Sequence, residues 1–194
     1  NSLLGAGVET GTLRRALPAG WKLAPLQVDD TSYMDWYFGL RRLFAEGSRP
    51  DVVAVMLTPQ QTIITHVRGE FFARHLMQPA DILPVTHTLN HHPTKASSML
   101  FGRFSQFYGV RAEIRNWLLL EIMPEFQKVA SLLTPHTRHT IDDRAVRQAA
   151  GRLRDLRELA EQHHAKLVWI LPSLLEPADG SAAFLDAASR AQIQ

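Results

Sequence analysis

The sequence predicts one α/β domain whose parallel sheet lies between two helical layers, interrupted by a long helical insertion. Three observations lead there. Short apolar runs alternate with segments of helical periodicity. Two of those runs are apolar almost throughout, the pattern of strands covered on both faces. One long central stretch carries helical spacing and no strand pattern at all.

Taken in chain order, Asn1-Ser2 stands directly before Leu3 and Leu4, at the start of a predicted helix that runs through Arg14, Arg15 and Leu17. Serine is a favoured first residue of a helix, so Ser2 reads equally as a cap. The strand that should feed this helix is expected ahead of Asn1. Trp21 to Val28 (WKLAPLQV), after the Pro18-Ala19-Gly20 turn, is predicted as the second strand. Ser32 to Gly47 follows as a helix, because Met34, Tyr37, Phe38, Leu40, Leu43 and Phe44 recur at helical spacing and Gly47 suits its end. Asp51 to Leu57 (DVVAVML), entered from Pro50, is the predicted third strand. Lys166 to Leu171 (KLVWIL), stopped by Pro172, is the fourth.

Between the third and fourth strands, residues 65–133 read as a helical insertion capping one end of the sheet, with breaks near Pro79, Pro84, Pro93 and Pro124. Phe101, Phe104, Phe107 and Tyr108, then Ile114, Trp117, Leu118 and Ile122, repeat at helical spacing and are expected to form the insertion's own core. Asp143 to His164 is a helix with an apolar stripe through Val146, Leu153, Leu156 and Leu159. Arg154–Glu158 and Arg157–Glu161 lie at i,i+4 on its solvated side. A last helix is expected over 182–190. The 194 residues thus read as one domain, with its first and last strands expected outside them.

Composition narrows the function classes. A 45% hydrophobic content supports a substantial core. The pI of 9.2 looks like that of a nucleic-acid binder, yet 21 basic residues face 19 acidic ones. Arginine supplies most of the basic charge, and few groups titrate between neutrality and pH 9, so a small excess of Arg carries the pI high without a strong positive field. No nucleic-acid partner is expected. The chain has no Cys, which excludes disulfides, thiolate metal sites and cysteine nucleophiles, and leaves the compartment open. No apolar run reaches the ~18 residues of a membrane span, and the first residues lack the pattern of a signal peptide. Composition does not set the oligomeric state.

Histidines are the other candidates for chemistry. His87 and His91 stand at i,i+4 beside His92, a spacing that suits zinc when a third ligand arrives. No acidic partner follows at the spacing of a zinc protease and Pro93 ends the segment, so the cluster reads as a helix end, and no metal and no cofactor is expected. His136 and His139 read as surface residues. His163 and His164 sit at a helix C-terminus, where the dipole favours them. Asp35, Trp36 and Tyr37 fall near the expected pocket mouth, with Trp36 and Tyr37 read as core. Arg111 and Arg115 could face an anion, although Glu113 lies between them.

The order of these blocks resembles the SGNH hydrolase superfamily, the GDSL-type esterases with their extracytoplasmic acyltransferase-like relatives. Carrying the resemblance are Asn1-Ser2-Leu3 leading into a helix, the second strand and loop into Asp35-Trp36-Tyr37, the strand from Val52 to Leu57, and Lys166 to Leu171 before Pro172. It implies a flavodoxin-like sheet, Ser2 as nucleophile with Asn1 where the family has Asp, and a pocket lined by Asn1, Thr31, Ser32 and Thr58. Thr58-Pro59-Gln60-Gln61 takes the place of the family's Gly-x-Asn-Asp, so Gln60 becomes the oxyanion donor. The loop at Asp30, Thr31 and Ser32 holds no Gly, and no Asp-x-x-His occurs in the 194 residues. The implied activity is hydrolysis or acyl transfer on a small-molecule or carbohydrate ester, such as an O-acetylated sugar. The alternative is an inactive SGNH-like binding or assembly module using the helical insertion. A phosphate binder is a weaker rival, since Gly5-Ala6-Gly7 lies too far into the first helix to cradle a phosphate.

Overall fold

The computed structural model describes residues 8–28, 31–64, 67, 69–88, 93–125, 142–172, 186, 188 and 189. Among these residues the fold is mostly helical, with a single two-stranded parallel sheet. Strand β1 (Val52–Met56) pairs with β2 (Lys166–Ile170), in register from Val52 opposite Lys166 to Met56 opposite Ile170. The expected three-layer, flavodoxin-like sheet of several strands is therefore overturned. Trp21 to Val28 shows the reason most directly. It forms no strand, and Trp21 and Leu26 are 54% and 44% exposed. Pro25, in the middle of the run, has no N–H to give a ladder, and that outweighs the apolar residues around it.

α1 (Thr10–Ala16) begins well after the predicted helix start at Ser2: Val8 and Glu9 are not helical, and the Glu9 carboxylate caps the helix by accepting from the Gly11 and Thr12 amides, which ends any continuous helix from Ser2 to Leu17. The later helices follow their sequence signals closely. α2 (Tyr33–Ala45) starts at Ser32 and ends in a Schellman turn. There Gly47, at φ +98°, donates to Phe44 O at 3.0 Å and Ser48 donates to Leu43 O at 3.0 Å. Three short helical pieces come directly after β1: α3 (Pro59–Ile63), α4 (Gly69–Phe71), and a π turn over Phe72–Leu76 that continues α4. A 3₁₀ turn at Pro79–Asp81 leads into α5 (Ile82–Thr88). Pro84 lies in the first turn of α5, where a missing N–H costs no helix bond. Next are α6 (Pro93–Phe104), α7 (Gln106–Gly109) and α8 (Arg111–Ile122). α9 (Asp143–Gln162) is capped by Asp142, whose Oδ1 accepts from Ala145 N at 2.7 Å.

The core lies on one face of the two strands. Val53, Val55, Leu167 and Trp169 point there, against Phe38 and Phe44 of α2 and Leu153, Leu156 and Leu159 of α9. Phe72, Leu76, Met77, Val85 and Met99 join the same cluster, so the first half of the predicted insertion is continuous with the main core. The opposite strand face is open among the described residues: Ala54 is exposed and Ile170 is 40% exposed, although both strands were expected to be covered on two sides. The aromatic stripe of α6 to α8 also departs from expectation. Phe104 and Phe107 are each 73% exposed and Trp117 is 61% exposed, so they are surface and not the insertion's core. Helical spacing reveals that such residues share a face, without saying which way the face looks.

Candidate functional site

At the carboxyl end of β1 the chain leaves through Leu57, Thr58 and Pro59, and here Thr31, Thr58 and Gln60 of the residues named from sequence come close together, with Ser32 next along the chain. Thr58 and Gln61 form a reciprocal capping box on α3. Thr58 N donates to Gln61 Oε1 at 2.9 Å, and Gln61 N donates to Thr58 Oγ1 at 3.3 Å. Gln61 then reaches across to the loop ahead of α2, its Nε2 donating to Thr31 O at 3.3 Å. Thr31 itself is buried. Its hydroxyl donates to Val28 O at 2.8 Å and accepts from Trp36 Nε1 at 3.0 Å.

Ser32 is buried beside it, where its amide donates to Asp35 Oδ2 at 2.9 Å and its hydroxyl to the same oxygen at 3.4 Å. Asp35 is 0% exposed. A carboxylate so placed is tolerated because it meets the unpaired amides of a helix start, at the positive end of the dipole. The hydroxyls of Thr31 and Ser32 thus act as framework for this edge. Gln60, on the first turn of α3, is exposed. Asn1 and Ser2 lie outside the described residues, as do Gly5-Ala6-Gly7 and the family-like loop residue Asp30.

Two groups that sequence reasoning missed hold the edge from below. Trp169 of β2 donates through Nε1 to Leu57 O at 3.0 Å, fixing the carbonyl just past the end of β1. Arg152 of α9, 9% exposed, donates through Nη1 to Thr62 O and to Ile64 O, the latter at 3.2 Å, and so binds the carboxyl end of α3. Its guanidinium lies 5.2 Å from the Tyr33 ring centroid. Burial pulls the Arg152 pKa below the usual arginine range, while Tyr33 and Asp155 oppose that. Burial likewise drives the Tyr33 phenol well above its ordinary value, helped by Asp155, to which its hydroxyl donates at 3.4 Å. The α3 helix is held at both ends, its first turn by Thr58 and its last by Arg152. The signals for the caps were in the sequence, since Ser32-x-x-Asp35 and Thr58-x-x-Gln61 are capping-box patterns. No local pattern announces Arg152.

The histidines are dispersed. His87 is exposed on the last turn of α5, and His91, His92, His136 and His139 lie outside the described residues. His163 stacks on Phe44 with centroids 4.3 Å apart, and His164 sits at φ 61° in the turn closing α9. Its amide donates to Glu161 O at 2.9 Å, which makes the Glu161–His164 spacing a helix-end turn. His75, in the π turn, packs against Phe71 with ring centroids 4.5 Å apart and the planes tilted by 38°, and its pKa is lowered by burial first and then by Arg74 and Arg42. Among the described residues no group of three or more His, Asp or Glu is arranged to hold a metal, and no helix is long and apolar enough to cross a membrane. No family model matches the chain, and no curated protein or solved structure matches it significantly.

Proposed function

We propose that this chain is the scaffold of an SGNH-like ester hydrolase or acyltransferase. In this reading Ser2 Oγ attacks the ester carbonyl carbon, the alcohol leaves with a proton, and the acyl group passes from serine to water or to a second alcohol. The Gln60 amide donates a hydrogen bond to the oxyanion of each tetrahedral intermediate. The proton from Ser2 requires a general base. In the resembled family this is the His of an Asp-x-x-His, so the activity belongs to a protein that supplies one. An O-acetylated carbohydrate is the substrate class that the resemblance implies.

One observation carries the reading: the loops bearing Thr31-Ser32 and Thr58–Gln61 are joined by the Gln61–Thr31 hydrogen bond at the carboxyl end of a parallel strand, with Gln60 left exposed beside them. That edge is where open parallel sheets place their ligands. A fluorophosphonate probe on the intact protein tests it. The wild type is expected to label and to hydrolyse an activated acyl ester. Ser2→Ala is expected to do neither, and Gln60→Ala to lose about 10²-fold in kcat. Labelling that survives Ser2→Ala removes Ser2 from the mechanism, and an intact protein that never labels removes the activity.

A further inference from the structure

The helices after α5 turn a broad apolar surface to solvent. No side chain of α8 is buried, and Ile114, Trp117, Leu118 and Ile122, at helical spacing, make one outward face exposed by 37%, 61%, 45% and 75%. Phe104 and Phe107, at the end of α6 and in α7, are exposed as well, and Arg111 ties the three helices together, its guanidinium 3.9 Å over the Tyr108 ring and its Nη2 donating to Ser98 Oγ at 3.3 Å. Allowing ~200 Å² for each aromatic side chain and somewhat less for each aliphatic one, the exposed portion of these six side chains is about 700 Å². An ordinary monomer's largest apolar patch is roughly 300–600 Å². A stable protein–protein interface takes about 800 Å² from each partner.

The charges say which partner fits. Arg111 and Arg115 lie at the amino end of this segment and Glu121 and Glu125 at its carboxyl end, all exposed. A two-fold axis at Leu118 with two α8 helices antiparallel sets Arg115 against Glu121 and Ile114 against Ile122. The patch is therefore complementary to itself, as an isologous interface must be. With two Arg against three Glu over residues 111–125, the segment offers an anionic lipid surface nothing to attract. We infer that the occupant of this face is a second copy of the chain, paired through α8 about that axis. The inference is independent of the esterase reading, because Ser2 takes no part in it.

Sedimentation equilibrium over a hundredfold concentration range tests it, with circular dichroism confirming that each variant is folded. The wild type is expected to form a closed dimer. Arg115→Glu and Glu121→Arg are each expected to weaken it by at least about tenfold, and the two together to restore it. Leu118→Glu is expected to abolish it. A wild type that stays monomeric throughout overturns the inference, as does a dimer untouched by Leu118→Glu. Open-ended association also overturns it. So does binding to phosphatidylcholine vesicles without self-association, which would assign the face to lipid.

Discussion

At the scale of single residues, the two ends of the core helices show how one geometry is met by different side chains. α2 ends on Gly47 at φ +98°, where glycine adopts the left-handed conformation without penalty. α9 ends in the same Schellman geometry, with His164 donating to Glu161 O at 2.9 Å and Ala165 donating to Ala160 O at 2.9 Å, yet the left-handed position is held by a histidine at φ 61°. A Cβ there crowds the following carbonyl and costs roughly 1–2 kcal/mol. His164 is exposed and its ring is not part of the core, so little is lost with it. His164→Gly is therefore expected to stabilise the fold by about 1 kcal/mol, after glycine's greater freedom in the unfolded chain has taken part of the gain. Urea denaturation measures it. A destabilised variant would mean that the His164 side chain holds something beyond the turn.

At the scale of elements, what was legible in the sequence is what local chemistry decides. α2, α9, β1 and β2 appear within two residues of their expected limits because apolar period, Ser or Asp caps and a closing turn all agree there. Trp21 to Val28 misled because composition favoured a strand while Pro25 forbade the ladder. The candidate site was legible only in part. Thr31, Ser32 and Thr58 do gather at one sheet edge, but as caps and buried supports, and Gln61, not its neighbour, bridges the loops. Arg152 was illegible because its partners, the carbonyls of Thr62 and Ile64, lie some 90 residues away in the chain. Its loss should be costly. Arg152→Met leaves two carbonyls at the end of α3 without their donor and removes the cation from the Tyr33 ring, so a loss of about 2–4 kcal/mol is expected. Arg152→Lys should fall between, since one ammonium on a shorter reach cannot copy the planar fork. Denaturant midpoints compare the three, and a Met variant as stable as wild type would show that α3 is held by its capping box alone.

At the scale of the whole molecule, stability is distributed unevenly, and the distribution follows from burial. β1 and β2 meet only after the more than 100 intervening residues have been brought back, which no local pattern encodes, so the extent of the sheet was the least legible feature of the sequence. Around that closure, α9 supplies Leu153, Leu156, Leu159 and Ala160 to the core, and α2 supplies Phe38 and Phe44. α8 supplies none. A helix of its 12 residues is marginal in water on propensity alone, and in a monomer its half-buried side, its join to α7 and the Arg111–Ser98 contact to α6 hold it. Native-state hydrogen exchange should separate these regimes. Amides of α9 between Leu153 and Ala160 are expected to exchange only through global unfolding, with a free energy equal to that from denaturant titration. Amides of α8 are expected to exchange far faster at low protein concentration and to slow as concentration rises, because pairing through Leu118 would add the burial this helix lacks. The α9 amides, already governed by global opening, should slow by no more than the dimer stabilises the fold as a whole. Equal protection of the two helices in dilute solution would mean that α8 is stabilised within one chain, and the uneven division of stability argued from burial would be wrong.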